Sequence, residues 1–164
     1  MMIMKNILFP TDFTPQSLSV LELYIKSNST YKNTIVLFAA FEMPESEQDV
    51  VGADNKPHLL VMNEEFRKGC KRLKEKYAER ISNIYYKYMY GNTVKVFKNH
   101  LEFNDIDEVF FPEAYTLIQP HQRFLNPASF INAAPVKVIR EVPVVPAQKP
   151  KQVVMQKREL SASY

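Results

Sequence analysis

Several sequence features typical of particular chemistry are missing from this chain of 164 residues. It has one cysteine, Cys70, which excludes a disulfide within the chain. No apolar stretch reaches the length of a membrane-spanning helix, and the apolar N-terminus is too short for a signal peptide. We therefore expect a cytoplasmic protein without membrane contact, in which Cys70 is a small buried hydrophobic residue.

Motifs of catalytic and metal-binding sites are missing as well. His58, His100 and His121 are scattered over different predicted elements, and no cysteine or histidine pair has the spacing of zinc ligands. No serine lies in a nucleophile elbow, and the chain contains neither a P-loop nor a dinucleotide-binding fingerprint. We identify no catalytic residue and no metal ligand, and the sequence gives no positive evidence for an enzyme.

The chain carries only a small excess of positive charge. Its formal net charge is +3 and its calculated pI is about 8.9, which gives weak grounds for a nucleic-acid partner. Basic residues concentrate in residues 67–80, where glutamates interrupt them and apolar residues keep helical spacing. This pattern favours the solvated face of an amphipathic helix over a polyanion-binding surface. We expect no specific nucleic acid as a partner.

Short apolar runs alternate with segments of helical periodicity. The runs have the length of buried strands and are Ile7–Phe9, Thr34–Phe41, Ile106–Pro112 and Val136–Val142. Helix-start signals are Thr14 followed by Pro15, and Asn126 followed by Pro127. Strands that alternate with helices predict one α/β domain, a three-layer sandwich around a five-stranded, mostly parallel sheet.

A longer helix is predicted between the second and third strands. Its apolar stripe follows steps of three and four residues and consists of Phe66, Cys70, Leu73, Tyr77, Ile81 and Ile84. The stripe predicts that the helix continues to Ile84 and lies against the sheet. Gly69 inside it would allow close packing against a neighbouring element.

The segment after this helix has two interpretations. Tyr86, Tyr88 and Tyr90 alternate along an edge strand, and Gly91-Asn92 then either turns a hairpin or ends the strand before a helix that starts near Thr93. The helix would bury the apolar residues Val94, Phe97 and Leu101. We favour the helix, because a crossover must precede the next parallel strand. We expect the tyrosines to pack on the sheet edge and not to stack bases.

The domain is expected to cover residues 1–143. Residues 144–164 form a basic, proline-containing tail, which we expect to be flexible or to take part in a dimer contact. In the dimer, Val153 and Val154 of the tail would add a strand across the interface.

Three stretches resemble the universal stress protein family. They are "KNILFPTDFTPQSLSVLE", "TIVLFAAF" and "GNTVKVFKNHLEFNDIDEVFF", and the resemblance extends from Met4 to Val142. It implies a fold like that of the adenine nucleotide alpha hydrolases, a homodimer made through the last strand, and ATP binding in some members. In nucleotide-binding members, the aspartate that corresponds to Asp12 lies beside the adenosine, and the strand end near Ala40 lines the base pocket.

The chain departs from this family where the phosphates would be held. Nucleotide-binding members use a glycine pair just after the fourth strand and a further glycine before the last helix, but residues 111–127 of this chain contain no glycine. Pro112 and Tyr115 stand where the glycine pair would be. Proline has no N–H to donate, and a tyrosine side chain blocks close approach to the main chain. Asp12 is therefore expected to bond to nearby backbone N–H groups as a structural residue.

Two functions follow as alternatives. The first is a stress-protein-like regulatory or interaction module without a cofactor, dimeric through Val136–Val142, that does not bind ATP in the family's usual way. The second is a protein that binds ATP, AMP or another anion, in which side chains of the remodelled segment replace the lost backbone donors. The residues of the remnant or remodelled pocket are Asp12, Phe13, Ala40, Tyr115, His121, Arg123 and Asn126.

Overall fold

The computed structural model describes residues 3–27, 31–43 and 61–141. These residues form alternating strands and helices. In chain order they are β1 (Ile3–Pro10), α1 (Pro15–Ser27), β2 (Tyr31–Phe41), α2 (Glu64–Lys76), β3 (Ile81–Tyr90), α3 (Val94–Phe103), β4 (Glu108–Phe110), β5 (Phe124–Leu125), α4 (Ala128–Ala133) and β6 (Lys137–Ile139).

The strands form one mixed sheet whose main path is β3-β2-β1-β4-β6, with every pair along this path parallel. The short β5 lies off the path and pairs antiparallel with the end of β2. This topology confirms the predicted α/β fold with a five-stranded parallel core. The sequence did not predict β5.

Helices cover both faces of the sheet. On one face, Tyr24 of α1 packs against Phe110 of β4, with 4.8 Å between the ring centroids. On the other face, Phe97 of α3 and Phe130 of α4 both pack against Phe38 of β2. The apolar runs in β1 and β2 are buried because each of these strands has a helix layer on both sides.

Side-chain caps mark the starts of the first three helices. The Thr14 Oγ1 atom accepts the Ser17 N–H, as predicted for α1. Asn63 accepts the Phe66 N–H at the start of α2, and Thr93 accepts the Val96 N–H at the start of α3. Each cap satisfies one of the N–H groups that a helix leaves without a partner at its start.

The prediction that α2 continues to Ile84 is wrong. The helix ends at Lys76, a turn follows, and Ile81 begins β3. Its apolar residues Phe66 and Leu73 are buried, as the stripe predicted for this part of the chain, whereas Cys70, which was predicted to be buried, is half-buried. Ile81 and Ile84 fit the helical period, but both residues lie in β3. Ile81 is buried there and Ile84 is half-buried.

Gly69 permits close contact between α1 and α2. A Cβ atom on this residue would lie 2.6 Å from the Leu18 Cδ1 atom of α1. Such a separation is too short for two carbon atoms, so the absence of a side chain allows the packing.

The structure settles the ambiguous segment in favour of a helix. β3 ends at Tyr90, Gly91 follows with a φ of 94°, and α3 begins at Val94. Phe97 and Leu101 are buried as predicted, but Val94, the first residue of α3, is 37% exposed. The tyrosines lie on β3, which is an edge strand of the sheet as predicted.

Several other predicted boundaries change. β4 and β6 are each three residues long, shorter than the predicted runs Ile106–Pro112 and Val136–Val142. Val142, the tail 144–164 and its residues Val153 and Val154 lie outside the described residues.

Burial raises the pKa of Cys70 to about 11, which keeps the thiol protonated at neutral pH.

His100 of α3 is packed where its protonation is unfavourable. Its ring lies 5.0 Å from the Phe38 ring, and its Nε2 atom has no hydrogen-bond partner in the described structure. Burial, and secondarily the positive charge of Lys87, lower the pKa of His100 to about 4. The neutral imidazole is therefore the form that the folded protein accommodates.

We expect His100 to make stability depend on pH between 7 and 5. The unfolded chain binds a proton at His100 below about pH 6.5 and the folded protein does not, so this residue should lower the free energy of unfolding by about 2 kcal/mol from pH 7 to pH 5. Urea unfolding of His100→Phe, which keeps an uncharged ring beside Phe38, should show a smaller loss. Equal losses in His100→Phe and the wild type would contradict the assignment.

Candidate functional site

The candidate site lies at the carboxyl ends of the parallel strands. β1 leads into α1 through residues 11–14, and β4 leads into α4 through residues 111–127, which we call the β4–α4 segment. β1 lies between β2 and β4 in the sheet. Ligands of open parallel sheets bind in the crevice outside these strand ends, so the two connections meet where a ligand is expected.

Asp12 is almost completely buried in this crevice, with 3% of its surface exposed. Its Oδ1 atom accepts the Thr14 N–H at 3.2 Å and the Thr14 hydroxyl at 2.6 Å. Its Oδ2 atom accepts the Ile118 N–H at 2.9 Å. Both carboxylate oxygens therefore bind donors of the protein itself, one next to Asp12 in sequence and one far from it.

Phe13 has a left-handed backbone with a φ of 65°. Its N–H donates to the Thr11 Oγ1 atom, and its ring packs against Phe66 of α2 and Tyr86 of β3 at 5.5 Å each. This backbone conformation is unfavourable for a residue with a bulky side chain. The ring contacts place Phe13 in the hydrophobic core, beside α2 and β3.

Tyr115 fills the crevice next to Asp12. Its ring stacks on Phe9 with 5.4 Å between centroids and 10° between planes. Its hydroxyl donates to the Pro10 carbonyl at 3.2 Å, and its N–H donates to the Pro112 carbonyl at 3.1 Å. Burial, and then the negative charge of Asp12, raise the pKa of Tyr115, so its hydroxyl remains a donor at neutral pH.

β5 occupies the space beside the end of β2. The last β1–β2 pair is Pro10 with Phe38, and beyond it Ala40 pairs with Leu125 of β5. The Glu42 N–H extends this contact by donating to the Arg123 carbonyl at 2.8 Å. Ala40, predicted to line a base pocket, is fully buried next to this added strand.

The other predicted site residues lie around β5. The Nδ1 atom of His121 accepts the Arg123 N–H at 3.1 Å, and the His121 carbonyl accepts the Phe124 N–H at 3.0 Å. These bonds form a tight turn on which His121 and Arg123 are both half-buried. Asn126 is exposed, and its Oδ1 atom accepts the Ala128 N–H at the start of α4.

The β4–α4 segment is thus attached to the domain along its length. The N–H groups that donate within the protein are those of Phe111, Glu113, Tyr115, Ile118, Arg123 and Phe124. Pro112, Pro120 and Pro127 have no N–H. Six N–H groups of the segment therefore donate within the protein and three of its positions have none, which reduces the main-chain donors that an anion could use, and its own side chains fill the crevice.

Sequence reasoning missed two parts of this arrangement, β5 and the bond between Ile118 and Asp12. Phe124-Leu125 is an apolar pair, but the same segment contains Leu117-Ile118, where Ile118 is 55% exposed. Nothing local distinguishes the pair that forms a strand from the pair that does not.

Within residues 3–27, 31–43 and 61–141, no group of three or more His, Cys, Asp and Glu side chains could hold a metal ion. None of the helices in these ranges is long and apolar enough to cross a membrane.

Asp12→Ala should destabilise the protein by about 2–4 kcal/mol, because it leaves three partly buried donors, the Thr14 N–H and hydroxyl and the Ile118 N–H, without their charged acceptor. Urea unfolding at pH 7 measures the change in the free energy of unfolding. The control Glu113→Ala removes an exposed carboxylate from the same segment and should change it by less than about 0.5 kcal/mol. Similar small effects of both substitutions would show that the Asp12 bonds do not stabilise the fold.

Comparisons with known proteins give a consistent fold. A scan against family models finds no match, and a search of curated proteins finds no relative.

Among solved structures, the chain resembles the universal stress protein UspA from Lactobacillus plantarum, with a TM-score of 0.50 and 16% identity over 84% of this chain and 97% of that one. It also resembles the hypothetical protein MJ0577, with a TM-score of 0.51 and 14% identity over 84% of this chain and 94% of that one. A universal stress protein in complex with cAMP matches with a TM-score of 0.45 and 14% identity over 83% of this chain and 94% of that one. The match to UspA shows that the chain has the fold of the universal stress proteins.

Proposed function

We propose that this protein is a cytoplasmic, stress-protein-like module that acts by regulation or interaction and does not bind ATP in the way that its family resemblance implies. The observation that carries this proposal is the hydrogen bonding of the Asp12 carboxylate. Its two oxygens accept three hydrogen bonds from Thr14 and Ile118, so most of its accepting capacity is used within the protein and little is left for an adenosine.

The phosphate side of the crevice supports the same function. A triphosphate needs several free N–H groups close together, which glycines provide by exposing the main chain. The β4–α4 segment has no glycine, and Tyr115 occupies the space beside Asp12. Each charge-assisted donor contributes about 1.5–3 kcal/mol, so the loss of several would weaken binding by orders of magnitude.

A second candidate function is binding of ATP, AMP or another anion at a remodelled site. The observation that favours it is the turn before β5, where His121 and Arg123 lie side by side and half-buried near the end of β2. Their side chains would replace backbone donors in contact with a phosphate.

Adenine nucleotides should leave the melting temperature unchanged. A ligand at a hundred times its dissociation constant adds about 2.7 kcal/mol of stability, which a thermal-shift assay detects easily. We expect no shift with millimolar ATP or AMP in the presence of magnesium, and no nucleotide released when the purified protein is denatured. A saturable shift that is lost in both Asp12→Ala and Arg123→Ala would overturn the proposal and establish the second candidate.

The module is proposed to be a homodimer through the last strand. β6 lies at the end of the sheet order, and its residues Val138 and Ile139 are half-buried. The Ile139 carbonyl accepts the Phe111 N–H on the β4 side. Because backbone groups alternate along a parallel strand, the Val138 N–H is directed towards the sheet edge, where a second copy would pair with it.

Val138→Pro tests this contact. The substitution removes the N–H directed towards the edge and leaves the bonds to β4 in place, a position at which a strand tolerates proline. Light scattering should find the wild type as a dimer and Val138→Pro as a monomer with an unchanged far-UV spectrum. Val138→Thr keeps both the N–H and the β-branched shape, so it should remain dimeric. A monomeric wild type, or a proline variant that still dimerises, rules out the β6 interface.

A further inference from the structure

Helix α2 has two flanks with different charge patterns. On the flank that faces α1, Lys76 forms an ion pair with Glu22 at 2.8 Å, and Glu65 lies in the same groove as Arg72. On the flank that faces β3, three cations line a separate groove, which we call the α2–β3 groove; they are Arg67, Lys71 and Lys74. Among the described residues, the lining of the first groove therefore combines cations with carboxylates, whereas the lining of the α2–β3 groove contains cations alone.

The α2–β3 groove has a cavity volume of about 290 Å³ and no acidic residue in its lining. The salt bridges of the described residues involve none of its three cations. Lys74 donates to the neutral Asn83 Oδ1 atom at 3.0 Å and forms no ion pair within the described residues. In the part of the chain that the structure describes, the rim on the α2 side is thus a row of cations without ion-pair partners.

The floor of this groove is apolar. Leu37 of β2 is almost fully buried, and Met62, Cys70 and Ile84 are half-buried around it. Water in contact with this floor would be released by an apolar side chain, which is favourable. The ligand that fits an apolar floor beside a cationic rim has both apolar groups and carboxylates.

The three cations are spread over about 10.5 Å of the helix, a length that an extended chain spans and a single compact anion does not. A helix rises about 1.5 Å per residue, so Arg67 and Lys71 are about 6 Å apart along the axis and Lys71 and Lys74 about 4.5 Å. Every second residue of an extended peptide repeats at about 6.6 Å. Alternation also places carboxylates on one face of the peptide and apolar side chains on the other.

We propose that the α2–β3 groove binds an extended acidic segment of a partner protein, in which carboxylate side chains alternate with apolar ones. The apolar side chains contact the floor, and the carboxylates pair with Arg67, Lys71 and Lys74. Duplex nucleic acid fits this surface less well, because its phosphates would leave the apolar floor unfilled. The inference goes beyond the proposed function, since it does not depend on what the Asp12 crevice binds.

Fluorescence anisotropy with the full-length protein tests the proposal. The probe is a short fluorescein-labelled peptide of alternating glutamate and leucine, compared with a peptide of glutamate alone and with duplex DNA. We expect saturable binding of the alternating peptide that weakens with added salt, and weaker binding of both other probes.

Two double variants with the same change in charge separate the groove from general electrostatics. Arg67→Glu with Lys71→Glu alters the α2–β3 groove and should weaken binding of the alternating peptide by at least about tenfold. Lys68→Glu with Arg72→Glu has the same spacing on the same helix but avoids that groove, so it should change binding by less than about twofold. Melting curves check that both variants fold, and the single neutral variant Lys71→Gln should weaken binding in the same direction.

Four results would overturn the proposal. They are an absence of binding by the wild type, equal weakening in the two double variants, equally tight binding of the glutamate-only peptide, and tighter binding of the DNA duplex.

Discussion

The hydrogen bond from the Ile118 N–H to the Asp12 carboxylate joins the two connections that meet at the carboxyl ends of the sheet. The other oxygen of the same carboxylate accepts the Thr14 N–H and hydroxyl, and Thr14 in turn caps α1. One buried side chain therefore fixes both the start of α1 and the path of the β4–α4 segment. A buried carboxylate is tolerable only when donors satisfy it, and here the chain itself supplies them.

The turn that contains Asp12 has a local cost that the core offsets. Phe13, which follows Asp12, takes a left-handed conformation, and this costs about 1–2 kcal/mol for a residue with a side chain. Burial of the Phe13 ring against Phe66 and Tyr86 contributes about 1.5–3 kcal/mol in return. Packing against α2 thus stabilises the strained turn. The Asp12 carboxylate of the same turn accepts a hydrogen bond from the β4–α4 segment.

Local signals in the sequence were sufficient for most of the fold. Thr14 and Thr93 predicted helix starts because a cap depends only on the next few residues. The end of α2 was predicted wrongly because Ile81 and Ile84 fit a helical stripe and a strand equally well, and only pairing with β2 decides between them. The bond between Asp12 and Thr14 was predicted correctly, because an aspartate in a turn commonly accepts a hydrogen bond from a nearby backbone N–H group. The bond to Ile118 and the pairing of β5 with β2 join residues far apart in sequence, and no local pattern encodes them.

Because the chain's own side chains fill the crevice, we expect partners to bind at the outer surfaces of the domain. The proposed dimer strand β6 and the α2–β3 groove lie at opposite ends of the order β3-β2-β1-β4-β6. Four strand spacings of about 4.8 Å separate the two edges by roughly 19 Å, so pairing through β6 would leave the groove open. A dimer would then present two cationic grooves on one particle. A partner with two acidic segments would bind both, and the second contact would form at the high effective concentration that the first one creates.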